Sequence, residues 1–394
     1  MISPHGDQAN LVFDSLMRGD SAIDLWPCSD LPPVVAGVAA FDPAAWFTRL
    51  QLTGVDRVSQ LAVAAAESAR ADAGWDFTID PERTGAYVGC GMGGAAAIED
   101  AYRRLGQQQR MSPLSIVASM TNAPAAHIAM RAGITGPVYT YSVACASSAV
   151  AIIEASKAIR YGELDIALAG GTEALLVNGV VQAWQALQTL ATPDSTDPKS
   201  SCRPFATDRS GFALAEGAAF LVLESREHAE ARGVRYYAEL AGYGISCDAS
   251  HLTKPDPKGQ IKALVAALRN SDLKPADIGY CNAHGTATRA GDVAECQALN
   301  EVWGEHIAGL RVSSTKAMHG HLLGAAGALE AAITVLALQR REIPPSINCN
   351  QPDPECDVEL VREPGQHVHC LNAAISNSFA FGGTNAVLAF LRAS

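Results

Sequence analysis

The sequence lacks any Cys-x-x-Cys pair, although it contains ten cysteines in 394 residues. Structural zinc sites and small disulfide-linked domains usually depend on closely spaced cysteines, so this pattern argues against both. Scattered cysteines are typical of a protein kept in a reducing compartment. We therefore expect no bound metal ion and a cytoplasmic protein.

Positive charge is also scarce. The chain has 29 lysines and arginines against 41 aspartates and glutamates, which gives a formal net charge of −12. This balance argues against a broad basic surface, on which general binding of nucleic acid depends. An acidic protein partner would need a local basic patch.

Long apolar runs are missing as well. No segment reaches the ~18 uninterrupted apolar residues that a membrane helix needs. Residues 1–6 show no basic region followed by an apolar core, so we expect no signal peptide and no membrane span. The hydrophobic content of 48% is still enough for a large buried core.

Helical patterns alternate along the chain with short β-branched or apolar runs, as is typical of α/β layers. We predict helices at 58–73, 147–161, 259–271, 292–302 and 326–339. We predict strands at 84–88, 166–169, 218–224, 278–282, 373–376 and 386–391. No short-period repeat is visible, and the charged run at 225–234 marks a boundary between two halves.

Cys145 is the first candidate for chemistry. It lies among small residues, after an extended run at 138–141 and before a helix-prone segment. Free backbone N–H groups at a helix start favour an anion, so this position predicts a lowered thiol pKa and a nucleophile. A buried structural cysteine is the alternative.

Two histidines lie in glycine- and threonine-rich segments. His284 is in Asn-Ala-His-Gly-Thr-Ala-Thr, and His321 is in Ser-Thr-Lys-Ala-Met-His-Gly-His-Leu-Leu-Gly-Ala-Ala-Gly. Glycines let the backbone approach a ligand closely, and hydroxyls supply donors and acceptors. A lone histidine is more often a core residue, but two such segments favour a polar site. Residues 377–385, Asn-Ser-Phe-Ala-Phe-Gly-Gly-Thr-Asn, predict a gate or an oxyanion-binding loop.

Together these motifs resemble the β-ketoacyl-acyl-carrier-protein synthases of the thiolase superfamily, most closely the elongating enzymes of type II fatty acid synthesis. Residues 89–94, 169–173 and 203–212 match in the same order, so the resemblance covers nearly the whole chain. It implies an α/β, thiolase-like fold of two structurally related halves in five α-β-α-β-α layers. We expect residues 1–230 to carry the cysteine, and residues 231–394 to carry the two histidines and the lysine.

The resemblance also implies an acyltransferase reaction. An acyl group held on Cys145 would undergo decarboxylating Claisen condensation with malonyl-acyl-carrier-protein, giving 3-oxoacyl-acyl-carrier-protein in fatty acid biosynthesis. No cofactor is implied, since the substrates are carried as thioesters on the phosphopantetheine of the acyl carrier protein. Backbone N–H groups of Cys145 and Phe381 would stabilise the oxyanion. His284 and His321 would contact the enolate oxygen and manage a proton.

Further residues take supporting roles in the resemblance. Lys316 and Glu295 are expected to form a buried pair that orients the histidines, with an ordinary surface salt bridge as the alternative. Thr286 and Thr288 are expected to hydrogen-bond the phosphopantetheine arm, with loop capping as the alternative.

The two phenylalanines of the 377–385 segment are expected to act at the entrance. Phe381, and with it Phe379, would pack over Cys145 and swing as the acyl chain enters. Plain core packing is the alternative.

Three positions depart from the common elongating pattern. His319 replaces a threonine, which predicts a titratable group beside the site or an exposed structural histidine. Ala380 replaces a glycine and would stiffen a gate that requires positive φ there. Ser115 replaces a bulky aromatic residue and, with Met92, is expected to shape the far end of an acyl pocket that includes residues of a second subunit.

The start of the chain also departs from the family, whose members usually have a basic residue and a valine-rich strand before the Ser-Pro-x-Gly motif. The sheet lacks its first strand, or the start codon is set too late, or a partner supplies the missing edge. The segment at 42–56 is short, and only Arg49 and Arg57 remain where relatives carry a basic carrier-docking segment.

Several relatives with other chemistry are disfavoured. A thiolase needs a second cysteine as base, and an initiating condensing enzyme has an asparagine in place of the second histidine. A non-catalytic chain-length subunit lacks the nucleophile. The alternative that stays open is the catalytic subunit of a specialised polyketide or aryl-polyene system. We expect acyl carrier protein as partner, and a homodimer or a heterodimer with a chain-length-factor-like subunit.

Overall fold

The computed structural model describes residues 1–27, 32–75 and 80–393. The helices are α1 (Ala9–Met17), α2 (Arg57–Asp72), α3 (Ala95–Gly106), α4 (Ser115–Ser119), α5 (Ala123–Ala132), α6 (Ser147–Arg160), α7 (Asn178–Ala186), α8 (Arg226–Arg232), α9 (Pro257–Ser271), α10 (Arg289–Trp303), α11 (Lys316–His319) and α12 (Ala326–Arg340). The strands are β1 (Ile23–Trp26), β2 (Val34–Gly37), β3 (Thr84–Gly89), β4 (Val138–Tyr141), β5 (Ile166–Glu173), β6 (Leu214–Ala215), β7 (Gly217–Glu224), β8 (Ala238–Cys247), β9 (Tyr280–Asn282), β10 (Arg311–Ser313), β11 (Glu342–Ile343), β12 (Glu359–Leu360), β13 (Gln366–His367), β14 (Ala373–Phe379) and β15 (Thr384–Arg392).

Two mixed sheets form the core. The first has the order β4-β3-β5-β7, with β3 parallel to β4 and β5, and β7 antiparallel to β5. The second has the order β12-β10-β9-β14-β15-β8, with β9 parallel to β10 and β14, and β15 antiparallel to both of its neighbours. Each half thus combines parallel strands with an antiparallel side.

The helices complete five layers. α2 and α5 cover the outer face of the first sheet, α6 and α12 pack between the two sheets, and α9 covers the outer face of the second sheet with α10 beside it. This α-β-α-β-α order confirms the thiolase-like arrangement. The charged α8 lies where the boundary between the halves is predicted.

α12 is the central helix of the molecule. Its residues from Ala326 to Leu338 are all buried, as expected for a helix that is apolar on every side. The stretch Leu323–Arg340 is long and apolar enough to cross a membrane, but 89% of it is buried inside the protein. It therefore serves here as a core element on which both sheets pack.

The predicted elements are all present, and their ends shift by a few residues. The helix predicted at 292–302 begins at Arg289, and the strand predicted at 166–169 continues to Glu173. That strand runs on through two glycines and a threonine, which an apolar pattern does not mark. At the start of the chain, Ile2 pairs with Ala218 of β7 through two backbone hydrogen bonds of 2.7 and 2.9 Å.

Candidate active site

Cys145 lies on the turn that joins β4 to α6. β4 leads through a 3-10 turn, Ala144–Ala146, into the first residue of the helix, Ser147. The Ser147 hydroxyl accepts a hydrogen bond from the Val143 N–H at 2.9 Å and donates one to the Ala144 carbonyl at 2.6 Å. Ala144 has a φ of 47°, a left-handed conformation that costs a non-glycine residue about 1–3 kcal/mol. The side-chain bonds hold this strained turn in place.

The thiol itself is buried, with 7% of Cys145 exposed. Burial raises the pKa of the Cys145 thiol to about 12, and the positive charge of Lys316 only partly opposes that shift. The prediction of a lowered pKa is therefore wrong. A helix start does favour an anion, but removing a thiolate from water has the larger effect.

His321 contacts this thiol directly. Its Nε2 lies 3.0 Å from Cys145 Sγ. The Leu323 N–H donates a hydrogen bond to the other ring nitrogen, Nδ1, at 3.3 Å. Because Nδ1 accepts a hydrogen bond, the ring proton resides on Nε2, which donates toward the sulfur. Leu323 has a φ of 47°, so a second strained residue fixes this histidine.

His284 completes the cluster. Its ring centroid lies 5.4 Å from that of His321, with the planes at 81°. One ring nitrogen of each histidine and Cys145 Sγ lie within 4.8 Å of one another. Burial, and then the positive charge of Lys316, lower the pKa of both histidines well below the usual range. Both imidazoles are therefore neutral near pH 7.

A cysteine and two histidines at these distances are also possible ligands for zinc. A metal ligand must offer a lone pair, but the Leu323 N–H holds His321 in the form that carries its proton on Nε2. These residues fit hydrogen-bond donation better than metal binding. That the protein needs no metal ion or cofactor stays a prediction.

Lys316 forms its ion pair with Glu330 of α12, and both side chains are completely buried. The prediction that Lys316 pairs with Glu295 is therefore wrong. Two carboxylates are buried near one lysine, and only the packing of α12 decides which of them it meets. Burial raises the pKa of Glu330 to about 7, against the effect of the lysine charge.

Glu295 acts on the backbone of the His284 loop instead. Its carboxylate accepts hydrogen bonds from the N–H groups of His284 and Gly285, both at 2.8 Å, and from Asn377 Nδ2 at 2.9 Å. Burial raises the pKa of Glu295, and these hydrogen bonds oppose that shift. Glu295 thus ties the histidine loop to β14.

The two predicted threonines lie on the same loop. Thr286 is buried, and its hydroxyl lies 3.0 Å from that of Thr288. Thr288 is the residue before α10, but its side chain makes no capping hydrogen bond there. The two hydroxyls therefore share a hydrogen bond, which a polar group of a phosphopantetheine arm could replace.

The phenylalanines form part of an aromatic ladder. Phe381 stacks on Trp184 of α7, with ring centroids 6.1 Å apart and planes at 27°. Trp184 meets Phe212 edge-on at 5.5 Å, and Phe212 meets the ring of His321 edge-on at 5.2 Å. Phe379 lies 6.2 Å from His284, between ring centroids. The 377–385 segment therefore contacts both histidines, directly or through other rings.

Two departures from the family pattern have simple structural outcomes. Ala380 packs against the apolar cluster around Cys145, and it is not among the residues with positive φ. The left-handed residues of this loop are Gly382, at 85°, and Gly383, at 79°, so Ala380 adds no strain. His319 is 1% exposed and bonded on both ring nitrogens, so the prediction of an exposed histidine is wrong.

Neither Met92 nor Ser115 belongs to the apolar cluster around Cys145 in the described part of the chain. Met92 is 52% exposed, and Ser115 is the half-buried first residue of α4. Ala95, three residues after Met92, does belong to the apolar cluster around Cys145. Their role at the far end of a pocket stays a prediction.

Sequence reasoning missed four residues of this site. Trp184 and Phe212 build the aromatic ladder, and Glu330 pairs with Lys316. Glu173 ends β5 and accepts backbone N–H bonds from Gly91 at 2.8 Å, Met92 at 3.2 Å and Gly324 at 3.1 Å, which joins the two halves. A carboxylate at the end of a buried strand was the signal available for Glu173.

Two family models match the chain. One is described as the N-terminal domain of β-ketoacyl synthase and matches residues 1–229. The other is described as the C-terminal domain of β-ketoacyl synthase and matches residues 237–350.

Curated relatives cover almost the whole chain. Nodulation protein E of Rhizobium sp. (strain N33) is 41% identical over 393 residues, which is 98% of this chain and 95% of the relative. The 3-oxoacyl-[acyl-carrier-protein] synthase 2 of Staphylococcus aureus is 36% identical over 398 residues, which is 99% of this chain and 98% of the relative.

Solved structures superpose along the whole length. The ishigamide ketosynthase/chain length factor is 32% identical with a TM-score of 0.92, over 100% of this chain and 97% of that one. A type II polyketide synthase acyl-carrier protein in complex with its ketosynthase, AntDE:AntF, is 28% identical with a TM-score of 0.91, over 99% of this chain and 97% of that one.

Proposed function

This chain belongs to the β-ketoacyl synthase family and is an acyltransferase with ketosynthase activity, and we propose that it condenses an acyl group held on Cys145 with malonyl-acyl-carrier-protein. Carbon dioxide is lost, and 3-oxoacyl-acyl-carrier-protein is the product. The observation that carries the proposal is a buried thiol in contact with one neutral histidine and within 4.8 Å of a nitrogen of a second. One of those histidines is fixed as a donor to the sulfur.

In the first half-reaction, the sulfur of Cys145 attacks the thioester carbonyl of the acyl-carrier. The His321 Nε2–H, 3.0 Å from the sulfur, stabilises the thiolate as it forms. The carbonyl oxygen gains negative charge, and the N–H groups of Cys145 and Phe381 face it as donors. Within the described residues neither N–H donates to a backbone carbonyl, and the Cys145 N–H faces its own thiol. The C–S bond to the carrier then breaks, and the Cys145 thiol proton passes directly to the departing pantetheine sulfur, because His321 already carries a proton on Nε2.

In the second half-reaction, malonyl-carrier loses carbon dioxide. The electron pair of the broken C–C bond moves onto the thioester oxygen as an enolate, which accepts hydrogen bonds from His284 and His321. Neutral imidazoles suit this role because each N–H group can donate a hydrogen bond without bringing a full positive charge into the site. The enolate carbon then bonds to the acyl carbon on Cys145. The C–S bond to Cys145 breaks, His321 stabilises the departing thiolate, and the thiolate then takes up a proton from solvent because its pKa is raised.

The supporting residues position these groups. Glu295 holds the His284 loop through two backbone N–H groups, and the positive charge of Lys316 acts on the thiol, although its ion-pair partner Glu330 opposes that effect. Thr286 and Thr288 are the hydroxyls that we assign to the phosphopantetheine arm. Phe381 leaves its stack on Trp184 when an acyl chain enters.

We also propose an acyl carrier protein as partner and a dimer as the working form. The AntDE:AntF structure joins a ketosynthase to its carrier protein, and the ishigamide structure joins a ketosynthase to a chain length factor. In this chain, α3, α4 and β4 expose large apolar side chains, which is typical of a subunit interface.

A specialised pathway is the second candidate for this activity, beside fatty acid biosynthesis. The relatives named nodulation protein E share 41–44% of residues with this chain, whereas the 3-oxoacyl-[acyl-carrier-protein] synthase 2 of S. aureus shares 36%. The higher identity favours a dedicated acyl product. The chemistry at Cys145 is the same in both pathways.

The test is a reaction of purified protein with acyl-carriers and malonyl-carrier, followed by mass spectrometry of the carrier. We expect 3-oxoacyl-carrier that is longer by two carbons. A panel of saturated and polyunsaturated acyl groups separates the pathways, because a polyene enzyme should prefer conjugated primers. If no primer gives a 3-oxoacyl product, the proposed function is wrong.

A further inference from the structure

Three lysines follow one another at every fourth position across the start of α9. Lys254 lies in the preceding loop, and Lys258 and Lys262 lie on one face of the helix. All three are exposed, and none forms an ion pair within the part of the chain that the structure describes. We call these residues the lysine stripe. In a chain of net charge −12, such a concentration of free positive charge stands out.

Carboxylates next to the lysine stripe are engaged elsewhere. Asp248 accepts hydrogen bonds from Asn385 Nδ2 at 2.7 Å and from the Asp256 N–H at 3.0 Å. Asp256 caps α9 by accepting from the Lys258 N–H at 3.0 Å. The lysine side chains therefore face solvent without a bound counter-charge from these two residues.

The loop that carries the stripe is hydrogen-bonded to the entrance of the active site. The Gly382 N–H, next to Phe381, donates to the Leu252 carbonyl at 2.7 Å, and the Asp248 N–H donates to the Gly383 carbonyl at 2.9 Å. Leu252 is 73% exposed, and Val265 of α9 is 49% exposed. The surface therefore combines positive charge with apolar contact area beside the entrance.

The segment expected to dock the carrier is less suited to that task. Arg57 is bound to the buried Glu216 by two hydrogen bonds, of 2.8 and 2.6 Å. Of the two arginines in this segment, Arg49 alone is left without such a partner among the described residues.

Resting on the proposed function, we propose that the lysine stripe docks an acidic acyl carrier protein with its phosphopantetheine arm directed past Gly382 to Cys145. Complementary charge increases the rate and the affinity of such an encounter. The apolar contact of Leu252 and Val265 adds short-range specificity. The backbone hydrogen bond between Leu252 and Gly382 places the docked carrier at the loop that carries Phe381.

The test uses the triple variant Lys254→Glu/Lys258→Glu/Lys262→Glu and compares two acyl donors, octanoyl-acyl-carrier-protein and octanoyl-pantetheine. Acylation of Cys145 is followed by intact mass. For the carrier donor we expect KM to rise at least tenfold, and for octanoyl-pantetheine we expect a rate within twofold of wild type. Lys274→Glu, which changes an exposed lysine beyond the end of α9, is the matched control and should leave both reactions unchanged.

The outcomes separate the two proposals. An unchanged KM for the carrier, or an equal loss with both donors, overturns docking at the lysine stripe. If wild type acylates from neither donor, the proposed function fails and the docking proposal fails with it. In wild type, KM for the carrier should also rise with added salt, and the triple variant should lose most of that dependence.

Discussion

The thiol of Cys145 holds its proton tightly, and the two histidines beside it are neutral. Burial produces both effects, since it disfavours every charged form in the site. A permanently ionised thiolate would react with many electrophiles, whereas a buried thiol becomes nucleophilic when a thioester reaches it. Specific hydrogen bonds from His321 then stabilise the charge at the moment it forms.

The raised pKa predicts how Cys145 reacts with iodoacetamide. Because the pKa is raised to about 12, the thiolate fraction increases throughout the range from pH 6 to pH 9. We expect the alkylation rate, measured by peptide mass spectrometry, to rise about tenfold for each pH unit in this range. The exposed Cys247 in the same sample is the reference. A plateau for Cys145 near pH 7 would contradict the assigned pKa.

The two histidines should differ in their effects on the half-reactions. Removing one donor to a developing oxyanion typically slows a reaction about 10²–10³-fold, and we expect this loss in malonyl decarboxylation for His284→Ala and for His321→Ala. His321 also contacts the sulfur, so only His321→Ala should slow self-acylation strongly. His127→Ala, on α5, is the control. Equal losses in both half-reactions for His284→Ala would refute the assigned roles.

For single residues, the sequence predicted that the cysteine and the two histidines lie together, but it did not predict every partner of the supporting residues. Cys145, His284 and His321 come together as predicted, because motifs of glycine and small residues mark them. The predicted partner of Lys316 was wrong because Glu295 and Glu330 are both buried nearby, and only the packing of α12 decides which of them the lysine meets. The predicted direction of the thiol pKa shift was wrong because the depth of burial depends on packing between distant segments.

At the scale of elements, the entrance depends on contact between α7 and the loop between β14 and β15. Trp184 and Phe381 are the contacting side chains, and Phe212 extends the ladder to His321. An aromatic pair is worth about 0.5–1.5 kcal/mol beyond the area it buries. That energy holds the loop closed but lets an incoming acyl chain displace it.

Substitution of Trp184 tests whether this aromatic stack holds the loop closed. Without the stack, the loop should open more often, so we expect Trp184→Ala to increase the rate at which a bulky maleimide labels Cys145 by about 2- to 10-fold. Trp184→Phe keeps an aromatic ring and should stay near the wild-type rate. The measurement is stopped-flow labelling followed by mass spectrometry. If the alanine variant reacts at the wild-type rate, Trp184 does not hold the loop.

The pair between α11 and α12 should dominate local stability. Glu330→Gln leaves the buried charge of Lys316 unpaired, and breaking a buried pair in this way costs about 3–5 kcal/mol. Urea denaturation should show this loss of unfolding free energy. The double variant Lys316→Met/Glu330→Leu removes both charges and should recover most of it. A loss below about 1 kcal/mol in the single variant would mean that the pair is solvated.

Elements were easier to predict than their contacts. Helices such as α2 and α6 follow from amphipathic periodicity, α12 follows from a long apolar stretch, and buried strands follow from short β-branched runs. The contact between Trp184 and Phe381 could not be predicted, because α7 and the loop between β14 and β15 belong to different halves of the chain. Only the packing of the halves brings them together.

At the scale of the whole molecule, one surface is strongly apolar. Met92, Tyr102, Ile116, Val117 and Tyr139 are each about half exposed or more. α3 packs against α4, and α5 packs against both α4 and β4, so these elements form one continuous part of the fold. β4 also forms an open edge of the first sheet. Such a surface is costly in water, so it predicts pairing with a second subunit.

Analytical ultracentrifugation tests this prediction. The wild-type protein should sediment as a dimer, and Ile116→Glu/Val117→Glu should shift it toward monomer by placing two carboxylates in the interface. Leu11→Glu changes an exposed leucine on α1 and serves as the control. A wild-type monomer at micromolar concentration would contradict a homodimer. A dimer formed only with a chain-length-factor-like subunit would identify the heteromeric form.

The division into halves at residue 230 and a cytoplasmic location stay predictions.

The central claim is that Cys145 carries the acyl chain during condensation. Intact mass spectrometry after exposure to octanoyl-acyl-carrier-protein tests it directly, with peptide mapping to locate the group. We predict a single octanoyl adduct on Cys145, loss of that adduct when malonyl-carrier is added, and no adduct or 3-oxoacyl product with Cys145→Ala. An adduct on another residue, or condensation by Cys145→Ala at the wild-type rate, would contradict the account.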